Sequence, residues 1–188
     1  EYARAELALN WGWTSSTRSG RPAGPHKEAA MPMLEKITAY LDENRISYTR
    51  HSHPTAYTAR EVAALEHIPA HRVAKTVVFI SENGYGMAVL PGDSMLDLES
   101  LRALLGVARL RLATESELND LFPDCELGAM APFGNLYGMP VYVDAGLSSE
   151  EMIAFNAGTH RDVIYMRFSD FERLVQPRVV ALSRHAAA

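Results

Sequence analysis

The sequence predicts an α+β fold with a mixed β-sheet, and three observations carry that reading. Short β-branched and aromatic runs recur along the chain, such as Thr76-Val77-Val78-Phe79-Ile80 and Val163-Ile164-Tyr165-Met166, and helical stretches interrupt them irregularly. The pair Asn83-Gly84 joins two such runs as a hairpin, which requires antiparallel pairing in part of the sheet. Two capping boxes, Thr58-Ala59-Arg60-Glu61 and Thr114-Glu115-Ser116-Glu117, each open a helix, because the threonine and the glutamate three residues on satisfy backbone amides at the helix start. The strict strand–helix alternation of a doubly wound parallel sheet is missing. With 188 residues, 47% hydrophobic and 22% charged, the chain can build one domain with its own core.

Residues 1–30 start without Met, hold Trp11 and Trp13, and run on through Ser, Thr, Gly and Pro, a composition that buries little surface. They read as a disordered extension or a gene-call artefact ahead of a start at Met31 or Met33. The folded domain is expected over 31–182, with 183–188 as a C-terminal tail. Within it, Pro32 opens a helix whose apolar face is Leu34, Ile37, Tyr40 and Leu41. Ile46 to His51 alternates like a strand. The helix capped at Thr58 is expected to run until Pro69 terminates it. Thr76–Ile80 and Tyr85–Leu90 are the two hairpin strands. Leu98, Leu101, Leu104 and Leu105 mark a helix, Ala108–Leu112 a strand, and Thr114 caps the next helix. A Gly- and Pro-rich loop spans Gly128 to Pro140, and Val141-Tyr142-Val143 is a strand. Ser148-Ser149-Glu150-Glu151 and Ser169-Asp170-Phe171-Glu172 are expected to open two short helices. Val163–Met166 and Val179-Val180 complete the strands.

Charge and motif content narrow the function. Eighteen Lys+Arg against 23 Asp+Glu, a net charge of -5, exclude a general grip on duplex DNA, which needs a strongly basic face. The single Cys125 cannot form an internal disulfide, and no apolar run approaches the roughly 18 residues of a bilayer span. These features predict a cytoplasmic protein that binds neither DNA nor membrane. GxSxG, P-loop, GxGxxG and HExxH signatures are all missing. Cys125 sits among Asp120, Asp124 and Glu126, whose charge raises a thiol pKa and so argues against a nucleophile. His51 and His53 share a strand face, and His67 and His71 have helical ligand spacing with Pro69 between them, but no cysteine cluster completes a zinc site. No metal and no cofactor are expected.

Two features remain. Strand alternation places Lys75 on the face of Val77 and Phe79, where a lysine either snorkels to solvent or meets an anionic or carbonyl group in a pocket. In Gly128-Ala129-Met130-Ala131-Pro132-Phe133-Gly134, the glycines let backbone approach a ligand and aim amides at an oxyanion. The plain alternative is a connecting turn.

In chain order, Ile46 to His53 leading into Pro54, the helix at Thr58, Ala74-Lys75-Thr76-Val77, the Gly128-to-Gly134 loop, Val141-Tyr142-Val143-Asp144 and Phe155-Asn156-Ala157-Gly158 resemble the YbaK/EbsC family, also called the prolyl-tRNA synthetase-associated domain. The resemblance covers Met33 to Val180. It implies a mixed, partly barrel-like sheet with surrounding helices, and hydrolysis of mischarged aminoacyl-tRNA. An aminoacyl ester is already activated, so a positioned water and a fixed carbonyl suffice without a protein nucleophile. The resemblance implies that Lys75 anchors the 3′-terminal region of the substrate and that Gly128, Ala129 and Met130 offer amides to the aminoacyl carbonyl. Val77, Phe79 and Phe133 would line the side-chain cavity, beside Pro132 and Gly134 of the same loop. Asp144 would hold the amino group. Gly158 and His160 would form a wall where many relatives follow the Ala-Gly pair with a basic residue and a further glycine. Arg50, Arg72, Arg109 and Arg161 are candidate phosphate contacts. The implied partner is the acceptor end of an aminoacyl-tRNA, with an aminoacyl-tRNA synthetase as a second partner left open. Two other readings stand beside this one: a non-catalytic module binding a tRNA end, a nucleotide or a peptide carboxylate, and a metal-dependent hydrolase using the histidines.

Overall fold

The computed structural model describes residues 31–185; the predicted extension over 1–30 and the last three residues of the predicted tail lie outside them. Helix α1 (Met33–Glu43) buries Met33, Ile37 and Leu41, one face at four-residue spacing. Strand β1 (Tyr48–Ser52) follows, then α2 (Ala59–Leu65). The predicted box opens α2: Thr58 Oγ1 accepts from the Glu61 amide at 3.2 Å and the Glu61 carboxylate accepts from the Thr58 amide at 3.1 Å. Pro69 does not end this helix. It stops at Leu65, because His67 adopts a left-handed φ of 54° and the Ile68 amide reaches back to the Ala63 carbonyl at 3.0 Å.

The predicted hairpin is β2 (Ala74–Ser81) against β3 (Gly84–Pro91), paired antiparallel over their whole length. Its two loop residues are Glu82 and Asn83, one position earlier than the Asn-Gly pair suggested, with Gly84 at a φ of +104°. Strand β4 (Ser94–Leu96) leads into α3 (Leu98–Leu105), capped by Asp97 and closed by left-handed Gly106. β5 (Leu110–Leu112) and α4 (Glu115–Leu121) come next, α4 on the predicted Thr114 box. β6 (Val141–Asp144) then runs into the short α5 (Ala145–Ser148). No helix starts at Ser148. The Asp144 carboxylate accepts from the Gly146 amide at 2.9 Å and opens α5 four residues earlier, and the strand-forming run from Met152 becomes β7 (Met152–Asn156). β8 (Asp162–Arg167), α6 (Phe168–Val175), β9 (Arg178–Val180) and β10 (Ser183–His185) complete the described residues. Residues 183–185, expected in a tail, are thus a strand, which pairs antiparallel with β4.

The five-stranded sheet has the order β5-β2-β3-β6-β9, antiparallel from β5 to β3 and parallel from β3 to β9. A second, antiparallel sheet has the order β1-β8-β7. One parallel bridge, Val73 to Ala154, joins the two. The α+β class with a mixed sheet is as predicted, but among the described residues the sheets do not close into a barrel. The main core packs Val78, Val89 and Val143 of the first sheet against Phe155 and Ile164 of the second, with Ile37 of α1 and Phe171 of α6. Phe79, Ala88 and Leu90, alternating to the other face, pack with Leu101 of α3 and Leu182.

Candidate functional site

Where the start of β2 passes the capped end of α2, a cavity of about 370 Å³ opens, bounded by Tyr57 to Arg60, Val73 to Val77, Gly92, Gly128, Met130 and Asn156. Lys75 is half-buried in its wall, and its Nζ donates to the Ser94 carbonyl. Burial, followed by the Arg60 charge, lowers the Lys75 pKa, and Asp93 partly offsets this. An ammonium has three donors, so two remain for a ligand, at a half-buried position where charge attraction is stronger than in bulk water.

Gly128 and Met130 stand on the cavity wall with Lys75. Gly128 has a φ of +88°, a backbone state that side chains resist, while a Cβ there would meet only the His160 ring at an ordinary 3.6 Å. The constraint is conformational. The Gly128 and Met130 amides make no hydrogen bond among the described residues. The amide between them is committed elsewhere: Ala129 N–H donates to the Glu126 carbonyl at 3.0 Å, and the Ala129 carbonyl accepts from Gly158 at 2.9 Å. Of three amides expected to face a substrate carbonyl, two are free to do so. Thr76 Oγ1 and Asn156 Oδ1, on two wall residues, are buried and have no partner among the described residues.

Other expected site residues lie away from the cavity. Phe79 is buried in the α3-side cluster, its ring filling the space above Gly86. Phe133 is core, against the rings of Tyr40, Phe155 and Phe171, and Pro132 and Gly134 are buried beside it. Gly158, at a φ of +91°, packs on Met33. His160 is 7% exposed and braced behind Gly128, with Nδ1 at 3.1 Å from the Ala56 carbonyl and Nε2 at 2.9 Å from that of Leu127. Asp144 lies outside the cavity wall. It is 5% exposed, and its carboxylate accepts from the amides of Gly146, Leu182 and Ser183 at 2.8–2.9 Å.

Three of the candidate phosphate contacts are engaged within the protein: Arg50 with Asp162 at 2.9 Å, Arg72 with Glu150 at 3.1 Å, and Arg161 with Thr55 at 3.1 Å. Arg109 lies beyond the far end of β2, beside Glu82. Sequence reasoning missed Arg60, which borders the cavity and has no ion pair among the described residues. In sequence, its place inside a capping box marks a helix start and carries no sign of which way the side chain faces. Burial and the adjacent Asp124 push the Cys125 thiol up to about 12, as the acidic neighbours foretold. His51 pairs with Glu66 at 2.8 Å, and no three His, Cys, Asp or Glu residues gather as a metal site among the described residues.

Residues 53–174 match the family model of the aminoacyl-tRNA editing domain. The chain belongs to that family. An editing-domain relative, the multifunctional Ser/Thr-tRNA deacylase ProXp-y of Escherichia coli (strain K12), is 26% identical over 157 residues, covering 81% of this chain and 93% of that protein. The proline–tRNA ligase of Xylella fastidiosa (strain Temecula1) is 33% identical over 131 residues, 69% of this chain but 23% of the ligase. The chain therefore spans less than a quarter of the ligases it matches. In fold, the editing domain matches a solved structure described as a proposed trans-editing enzyme for prolyl tRNA synthetase, with a TM-score of 0.72 at 23% identity, covering 83% of this chain and 99% of that one. No helix among the described residues is long and apolar enough to cross a membrane.

Proposed function

We propose that this editing domain is an aminoacyl-tRNA deacylase that hydrolyses the ester of a mischarged tRNA in the Lys75 cavity. The observation that carries the reading is the meeting, on one wall, of a half-buried ammonium and two uncommitted amides, Gly128 and Met130. In this reading Lys75 anchors the 3′-terminal region of the substrate through its two remaining donors, with Arg60 adding positive charge at the rim. The amides face the carbonyl oxygen and stabilise the oxyanion as a water attacks. The water oxygen bonds to the carbonyl carbon, the ribose oxygen leaves with a proton from that water, and the free amino acid and the tRNA hydroxyl are released. Thr76 Oγ1 and Asn156 Oδ1 offer hydrogen bonds to the attacking water or the amino group. Cys125 takes no part, since a thiol held up to about 12 is protonated at neutral pH. Val77 and Met130 limit the room for the amino-acid side chain, so specificity is a matter of size.

Similarity to a Ser/Thr-tRNA deacylase supports this activity, and the stretch shared with proline–tRNA ligases supports a synthetase as second partner; the proposed compartment is the cytoplasm, where charged tRNA is used. The test is a panel of tRNAs charged with alanine, serine, cysteine, threonine and proline. The reading expects one or two esters to disappear well above the buffer rate. Saturable binding of the acceptor end with ester decay at the buffer rate would replace it with a non-catalytic module.

A further inference from the structure

The buried Asp144 lies outside the cavity wall, yet its carboxylate holds three amides. Two of them belong to Leu182 and Ser183, at the entry to β10. β10 pairs with β4, with Ser183 opposite Leu96 and His185 opposite Ser94, and the Leu182 carbonyl accepts from the Asp97 amide at 2.8 Å. Hydrogen-bonded positions alternate along an antiparallel ladder. With residue 97 bonded to β10, residue 95 follows, and the Ser94 carbonyl points away from β10. There it meets Lys75 Nζ. The Leu182 and Ser183 amides both turn to the Asp144 carboxylate, so Asp144 holds the chain where it enters β10. The opposite end of this segment is fixed as well, because the Gly92 amide donates to the Ala70 carbonyl at 3.1 Å.

We infer that Asp144 is a positioning residue for the Lys75 site: by clamping the entry to β10 it fixes β4, and so fixes the Ser94 carbonyl that holds the Lys75 ammonium. The inference rests on the deacylase reading for its functional meaning. Its structural content is independent of that reading. The guanidinium of Arg60 and the carboxylate of Asp93 are the other charges acting on Lys75, and neither lies on β4 or β10.

The test uses the full chain with lysine labelled with carbon-13 at the ε position. The sequence has three lysines, Lys27, Lys36 and Lys75, so assignment needs only single Lys→Arg changes. While Nζ stays on the Ser94 carbonyl, the two ε protons of Lys75 are inequivalent. In Asp144→Asn, which loses one acceptor oxygen, and in Ser183→Pro, which removes one of the β10 amides and keeps the Asp144 carboxylate, they should merge into one averaged signal. In the same variants kcat for ester loss should fall roughly tenfold or more. Ser183→Pro decides the matter should Asp144→Asn fail to fold. A folded variant with the Lys75 signals still inequivalent, or a wild type with a single averaged signal, overturns the inference. The lysine signal is read without substrate. A wild-type protein that leaves every ester intact would end the deacylase reading while the signal still decides the positioning role.

Discussion

An ammonium half out of water is disfavoured, and at Lys75 burial lowers the pKa for that reason. The Ser94 carbonyl takes up one of its donors, and the side chain stands on the cavity wall. Gly128 is the other residue whose chemistry the site depends on, through its backbone. At a φ of +88°, Gly128→Ala should lose about 1–2 kcal/mol of stability from backbone strain, or shift the loop to avoid it. Urea unfolding measures the first and single-turnover ester loss the second, and activity should fall more than the stability loss explains. At this scale the sequence was partly legible. Lys75, Val77, Gly128 and Met130 were named and do share one cavity. Phe79, Phe133 and Asp144 were not separable from them, because a buried ring or carboxylate looks the same in sequence whether it faces a ligand or three backbone amides. Thr76 and Asn156 gave no signal, since an unpartnered oxygen is a property of the packing.

Local chemistry explains the elements that were read correctly. Both capping boxes form as written, because their bonds lie within four residues. The Thr58 box matters twice, since Tyr57, Thr58 and Arg60 at its edge also border the cavity. Thr58→Ala should lower stability by about 1 kcal/mol, seen as a lower melting temperature, and should weaken substrate binding more than the rate at saturation. The elements that were missed are those that long-range pairing creates. β4 and β10 have three residues each and no pattern of their own; they exist because each supplies the other's partners. β7 was hidden because Met152 to Asn156 is short and follows a polar Ser-Ser-Glu-Glu stretch that reads as a helix start. The Pro69 signal was real but late, since left-handed His67 had already ended α2.

Among the described residues, the five-stranded and three-stranded sheets share a core and are joined by the bridge of Val73 to Ala154. The cavity lies beside that junction, with Val73 to Val77 from one sheet and Asn156 from the other on its wall. The class of fold could be read from strand and helix punctuation, whereas barrel closure is a matter of how sheet edges meet, which no local pattern encodes. The editing-domain match over residues 53–174 reaches from β1's end to α6 and thus includes the whole cavity. The central claim is that this cavity is a deacylase site organised by Lys75. Its most direct test is single-turnover ester loss by wild type and Lys75→Ala, on whichever charged tRNA the wild type hydrolyses, with melting temperatures taken in parallel. The account predicts a folded variant whose ester decays at the buffer rate. A folded Lys75→Ala protein that clears the ester as fast as wild type would contradict it.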